Sequence, residues 1–362
     1  MGTFPRLFLI PPPPKRTTRH PTMATPGPVM MWSQYLALRS VAAAVTAFDV
    51  NLNLDSFGAI AQTICRLPWP KIAQRHVSRS AEHLRRSFPD WPEERVIEVA
   101  EGSLKNLVQF FVDVLHTPRL IHRDNWPDVL DTHAMGEAIE ALNSDRPVLL
   151  VTGHVGNFEL QGYALSTFGY PLSALARPLD NPLIYDWLLG IRERRGARII
   201  TKWDATDQMT QVLESGGALG FIADQNAGDR GMFVPFMGRL ASAYKSIGLL
   251  AMRYNTTIVC GYALRRGGRF SFDMGTTDII YPEDWADQPD PLYYITARYT
   301  RAIELMVRKA PEQYWWMHRR WKSRPRHERL GKPMPGALRR NLESLPWMTP
   351  DLLEQVSIPV KG

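Results

Sequence analysis

The sequence predicts an α/β fold, with a mostly parallel central sheet flanked by helices and a helical segment ahead of it. Three observations carry this. From residue 147 onward, short apolar β-branched runs alternate with helical periodicity, which is how parallel sheets are built. One run, Pro147 to Thr152, stops at Gly153-His154-Val155-Gly156-Asn157 and is followed by an apolar-periodic stretch, Phe158 to Phe168: a buried strand, a turn, and a helix capped by Asn157. Upstream, Val96, Val99, Leu104, Leu107, Phe110, Phe111 and Val114 recur near three- and four-residue steps, the spacing of an amphipathic helix.

In chain order, residues 1–30 are proline-rich with scattered basic residues, a composition that predicts disorder, and Met23, Met30 or Met31 are alternative starts. Residues 31–118 read as a helical, membrane-associating region. Trp32 to Leu67 is interrupted by Arg39, Asp49, Asp55 and Arg66, short of the roughly 18–20 apolar residues that a spanning helix needs. An interfacial helix presenting Trp32, Tyr35 and Leu36 is the alternative to packing of the same residues on the core. Pro89-Asp90-Trp91-Pro92 separates two helices between Lys71 and Val114. A loop around Arg123 to Pro127 then leads to a short helix near Met135 to Leu142.

Residues 119–330 are read as the α/β domain. Its predicted strands are Leu172–Ala176, Ala197–Ile200, Ala218–Ala223, Thr257–Leu264 and Arg269–Met274. Its predicted helices are Asn181–Arg195, Thr206–Leu213, Ala243–Tyr254 and Pro291–Lys309. Residues 331–362 read as a tail on the surface.

The formal net charge of +7 and pI near 9.4 favour anionic partners such as phospholipid headgroups, phosphorylated glycolipids, an acidic carrier protein or nucleic acid. Cys65 and Cys260 lie far apart inside apolar stretches and read as buried free thiols in a reducing compartment. The chain lacks His-Glu-x-x-His, Cys-x-x-Cys, a Gly-x-Ser-x-Gly elbow and a phosphate-binding Gly-x4-Gly-Lys-Ser/Thr loop. Metal hydrolase, α/β-hydrolase and P-loop chemistries are therefore disfavoured.

Four blocks carry the chemistry. In the first, His154 sits on the turn and Glu159 about one helical turn inside the following helix. On one continuous helix the two would point ~140° apart, so they meet only if the histidine precedes the helix and the chain bends back at Gly153 and Gly156. A carboxylate on one imidazole nitrogen fixes the tautomer and frees the other to take a proton. The competing reading is a structural histidine.

The second block, Ala176-Arg177-Pro178-Leu179-Asp180-Asn181-Pro182, puts an arginine at a strand's carboxyl end, suited to a phosphate or a developing oxyanion, or to pinning the loop through Asp180. In the third, Asp224-Gln225 end a strand as polar groups for a cleft floor, and Phe233 to Met237 form an apolar loop that an acyl chain or a neighbouring helix would cover. The fourth, Pro311-Glu312-Gln313-Tyr314-Trp315-Trp316-Met317-His318-Arg319-Arg320-Trp321-Lys322, reads as an aromatic-rich basic patch for an anionic interface. Single-stranded nucleic acid would suit the same pattern, but no other nucleic-acid motif accompanies it and none is expected as a partner.

In order and spacing these blocks resemble the bacterial late lipid A acyltransferases, within the His-x4-Asp/Glu glycerolipid acyltransferases, over roughly residues 32–327. The resemblance implies a glycerolipid acyltransferase-like sheet and transfer of an acyl group from an acyl carrier protein or coenzyme A thioester to a lipid hydroxyl. No bound cofactor, metal or covalent acyl-enzyme is implied. His154 would be the general base and Glu159 its orienting carboxylate. Arg177, with Asn157 and Gly156, would bind oxyanion or phosphate, and Asn181, Asp224, Gln225, Phe236, Arg319 and Arg320 would contact substrate. The acceptor would be a lipid A precursor, a mannosylated phosphoinositide or another glycolipid, at the cytoplasmic face of the bacterial inner membrane. Relatives usually carry a more hydrophobic amino-terminal anchor, and here the sequence departs from the pattern. A non-catalytic lipid-binding protein on the membrane surface is the other reading.

Overall fold

The computed structural model describes residues 27–67, 71–176, 178–201 and 205–358. Four helices come first: α1 (Pro28–Thr46), α2 (Val50–Arg66), α3 (Lys71–Ser87) and α4 (Glu93–Leu120). Asp49 starts α2 by accepting the amides of Asn51 and Leu52, and Pro92 sets the entry to α4. There follow β1 (Leu130–Ala134), α5 (Gly136–Asn143), β2 (Val148–Thr152), α6 (Phe158–Thr167), β3 (Leu172–Ala176), α7 (Pro182–Arg192), β4 (Arg198–Thr201), α8 (Ala205–Glu214) and β5 (Ala218–Ile222). The chain continues through β6 (Met232–Phe236), β7 (Arg239–Ala243), α9 (Lys245–Tyr254), β8 (Thr257–Arg265), β9 (Phe272–Ile280), a single-turn α10 (Pro282–Trp285) and α11 (Pro291–Lys309). It ends in α12 (Arg326–Arg329), α13 (Gly336–Glu343) and α14 (Pro350–Ser357).

The fold is α/β, as expected. A seven-stranded sheet runs β1-β9-β8-β2-β5-β3-β4. From β8 to β4 every pairing is parallel. β9 runs antiparallel to β8 and pairs in parallel with β1 at the edge. β1 was not foreseen, because Leu130–Ala134 buries only its first residue and so lacks an apolar run. β2, fully buried, lies between β8 and β5 and feeds both cores by strict alternation. Leu149 and Val151 join Leu219, Ile258 and α11 on one face. Val148 and Leu150 join Leu160, Ala164 and Val259 on the other.

Two expectations are corrected. Phe233 to Met237 is no loop: it belongs to the hairpin of β6 and β7, turned by Met237 and Gly238 with φ of 52° and 71°. Two positive φ values in a two-residue connection match the right-handed twist of the strands it joins. Residues 331–358 are more than a surface tail, since Leu342, Leu345 and Val356 enter the main core. Of the cysteines, Cys260 is buried as expected, whereas Cys65 is only half-buried.

Candidate active site

The register of β2 against β5 builds the site. Thr152 pairs with Ile222, and the Ala223 amide still donates to the Thr152 carbonyl at 2.8 Å. Two residues beyond that last pair, the strands deliver His154 and Asp224 to the same point at their carboxyl ends, where open α/β sheets bind ligands. The His154 imidazole meets Asp224 Oδ1 through Nδ1 at 2.7 Å, and the His154 backbone amide donates to Oδ2 at 3.0 Å. With Nδ1–H donating to the carboxylate, Nε2 is left to accept a proton. Asp224 is 1% exposed. Burial alone would raise its carboxyl pKa, but the charge and hydrogen bond of His154, with His318 beyond, hold it well below the usual carboxylate range.

Aromatic rings enclose the imidazole. Phe158 stands edge-on with centroids 5.1 Å apart, Trp315 lies at 5.0 Å and His318 at 4.6 Å. The turn that carries His154 is held from outside. Gly156 has φ +59°, and any side chain there would run into the Ala263 carbonyl. Its amide donates to the Gln313 carbonyl at 3.0 Å, and the Asn157 amide donates to the Ala263 carbonyl at 2.8 Å. Asn157 caps α6 through the Leu160 amide and donates its own amide group to Asp113 Oδ2. Arg265 pairs with the same carboxylate of Asp113. Burial lifts Asp113 to about 6, against the opposing pull of Arg265 and Asn157. Gln313 brackets the Arg265 backbone with bonds of 2.9 and 3.0 Å. From α4, Ser103 and Asn106 hold the carbonyls of Tyr314 and Gln313.

These contacts correct several expected roles. Glu159 does not meet His154: on α6 it is Phe158 that faces the imidazole, and Glu159, one helical step away, pairs with Arg192 of α7. The amides of Gly156 and Asn157 are engaged by Gln313 and Ala263, so they are not free to receive an oxyanion or phosphate. Asn181 caps α7 and ties it to α1 through the Met31 carbonyl and Gln34, a fastening rather than a substrate contact. Asp224 stands on the cleft floor, but as the partner of His154. Gln225 is exposed beside His318, with 3.5 Å between its amide nitrogen and Nδ1.

Phe236 is fully buried against Tyr314 and Trp321, too deep to line an open channel. Arg320 is 1% exposed and donates to the carbonyls of Ser242 and Gln225. With Trp316 and Trp321 also buried, the fourth block is mostly core, and only Arg319 and Lys322 keep the exposed, basic character expected of it. Arg177 lies outside the described residues. His318, Trp315, Asp113 and Arg265 were not anticipated as site residues. The first two sit in the fourth block, where they read as parts of a surface patch.

Phe158, which packs edge-on against His154, also lines an apolar pocket between the sheet and α6 and α7, together with Leu150, Leu175, Ile191, Ile199 and Phe221. The Glu159–Arg192 pair forms part of its wall. An imidazole–carboxylate pair at strand ends, one aromatic ring away from an apolar pocket, defines an α/β site equipped to move a proton near apolar surface.

The chain belongs to the bacterial lipid A biosynthesis acyltransferase family, whose model matches residues 31–323. It is an acyltransferase. It is 26% identical over 284 residues to the lipid A biosynthesis lauroyltransferase of Escherichia coli K12, covering 72% of this chain and 89% of that protein. A lipid A biosynthesis acyltransferase of Haemophilus influenzae is 25% identical over 267 residues, 70% of this chain and 80% of that protein. The E. coli lipid A biosynthesis palmitoleoyltransferase is 27% identical over 206 residues, 55% and 65% of the two chains.

Proposed function

We propose that this protein transfers a fatty acyl group from an acyl carrier protein or coenzyme A thioester to a hydroxyl of a lipid A precursor. The observation that carries the reading is the His154–Asp224 pair one aromatic ring away from an apolar pocket, in a chain whose relatives are named for lauroyl and palmitoleoyl transfer in lipid A biosynthesis. In the proposed step His154 Nε2 takes the acceptor hydroxyl proton as the oxygen attacks the thioester carbonyl. The carbonyl electron pair moves to its oxygen. Collapse restores the double bond, breaks the carbon–sulfur bond, and the thiolate leaves with the proton returned from His154. Asp224 holds the tautomer and balances the imidazolium. No protein nucleophile is required. The pocket takes the acyl chain, and Arg177 is proposed to bind an acceptor phosphate.

The proposed setting is the cytoplasmic face of the inner membrane. Among the described residues no helix is long and apolar enough to cross a membrane. What supports attachment at the surface is that Val29, Met30, Trp32, Leu36 and Val41 of α1 are all more than half exposed.

The test is mass spectrometry of a detergent-dispersed, Kdo-bearing lipid A precursor incubated with acyl carrier protein or coenzyme A thioesters of several lengths. The wild type should add one acyl group. His154→Ala should retain the fold and lose about 10²–10⁴-fold in rate, the usual contribution of a general base. Near-normal turnover by His154→Ala would refute the mechanism.

A further inference from the structure

A base that generates a tetrahedral oxyanion leaves a second requirement, a donor for that oxygen within reach of the same reacting carbon. Backbone amides usually meet it. Here five of the amides nearest the imidazole are already engaged: His154 with Asp224, Gly156 with Gln313, Asn157 with Ala263, Trp315 with the His154 carbonyl and His318 with the Trp315 carbonyl. A side chain packed on the base can serve instead. The His318 ring stands 4.6 Å from the His154 ring, tilted by 35°, so the two imidazoles lie in direct contact. Its Nδ1 faces the Gln225 amide nitrogen at 3.5 Å, the long end of hydrogen-bonding range. An amide donor at Nδ1 places the ring proton on Nε2.

We infer that His318 is the oxyanion donor of this site, its Nε2–H binding the oxygen of the attacked carbonyl while His154 Nε2 takes the hydroxyl proton. The inference rests on the acyl-transfer reading with His154 as base. It assigns the two neighbouring imidazoles opposite tautomers, Nδ1–H at His154, set by Asp224, and Nε2–H at His318, set by Gln225. A donor beside a base must not compete for its proton. Burial first, and the adjoining His154 next, push His318 down to about 4, against the weaker pull of Asp224, which keeps it neutral at physiological pH. A neutral imidazole donor also places no second cation beside the imidazolium that forms at His154. Trp315 presents the competing donor, an indole N–H that is buried without a hydrogen-bond partner among the described residues.

Two measurements test this, one of them independent of turnover. In ¹⁵N-imidazole NMR of the full chain, His318 should be neutral and in the Nε2–H form from pH 8 down to about 5. A protonated ring at pH 7, or an Nδ1–H tautomer, would overturn the proposal. In acyl transfer and in the slower hydrolysis of the same thioester by water, His318→Phe should lower kcat by about 10²–10³-fold with KM little changed. His318→Gln, which keeps a neutral N–H near the Nε2 position, should recover at least about tenfold of the loss. A His318→Phe rate within about threefold of wild type, or a comparable loss confined to Trp315→Phe, would move the donor elsewhere and overturn the assignment. Failure of the acyl-transfer reading shows separately, as a folded wild type without transfer or hydrolysis, and overturns the donor role with it, whereas an active wild type with an unaffected His318→Phe overturns the donor role alone.

Discussion

His154 and its carboxylate partner lie 70 positions apart in sequence. The sequence made Glu159 the natural candidate because it is the nearest acid downstream of the histidine. Asp224 was legible only as a polar strand end, because the order of strands is not written in any local pattern. Knowing that β2 and β5 are neighbours in register would have been enough to pair the two. The same limit applies to Arg320, whose alternation with tryptophans imitates an interfacial patch. Its guanidinium is buried in the fold, where Nη1 donates to two backbone carbonyls supplied by segments about 80 and 95 residues away. Glu159, by contrast, sits in the pocket wall. Its replacement by glutamine should weaken the hold on Arg192 and act mainly on KM for the acyl donor.

Elements were read best where the pattern was long or punctuated. β3 and α11 have the predicted bounds, and α6 and α7 start at the asparagine caps that the sequence marks. The β6–β7 hairpin was missed because its buried residues form one apolar run that ends in Met237, an unusual residue for a positive-φ turn position. Among the described residues, α1 is covered on one side only. It touches α4 and α7, yet Trp32 is 51% and Leu36 56% exposed. If that face enters a lipid interface, the double variant Trp32→Ser, Leu36→Ser should bind anionic phospholipid vesicles at least about tenfold more weakly, given about 25 cal/mol per Å² of apolar surface lost. Its thermal midpoint should stay near that of wild type. Vesicle co-sedimentation measures the first, and unchanged binding would leave the exposed face without that role.

At the scale of the whole molecule, buried titratable groups couple stability to pH. Burial, then neighbouring arginines, push His83 down to about 4, the level that His318 also reaches. Unfolded histidines titrate near 6.5, so each of these contributes stability that is present above about 6.5 and lost as pH falls through about 4. Each loss is on the order of 3 kcal/mol. Asp113, raised to about 6, has the opposite sign: its contribution is present below the unfolded carboxylate range and disappears as pH rises through 6. Two histidines against one aspartate leave a net loss of a few kcal/mol between pH 7 and pH 4. Urea unfolding across that range should show it, and His83→Phe should flatten the slope. A slope unchanged in His83→Phe would mean that this histidine does not remain neutral in the fold.

Asp224, and not Glu159, holds the imidazole of His154, the proposed base. The most direct measurement is kcat for acyl transfer by Asp224→Asn and Glu159→Gln beside the wild type, with folding of each verified by its thermal midpoint. The structure predicts a loss of about 10²–10⁴-fold for Asp224→Asn, because an amide cannot hold the imidazole tautomer or balance its charge, and kcat within about tenfold of wild type for Glu159→Gln. A folded Glu159→Gln enzyme that loses as much kcat as Asp224→Asn, or an Asp224→Asn enzyme that turns over normally, would contradict it.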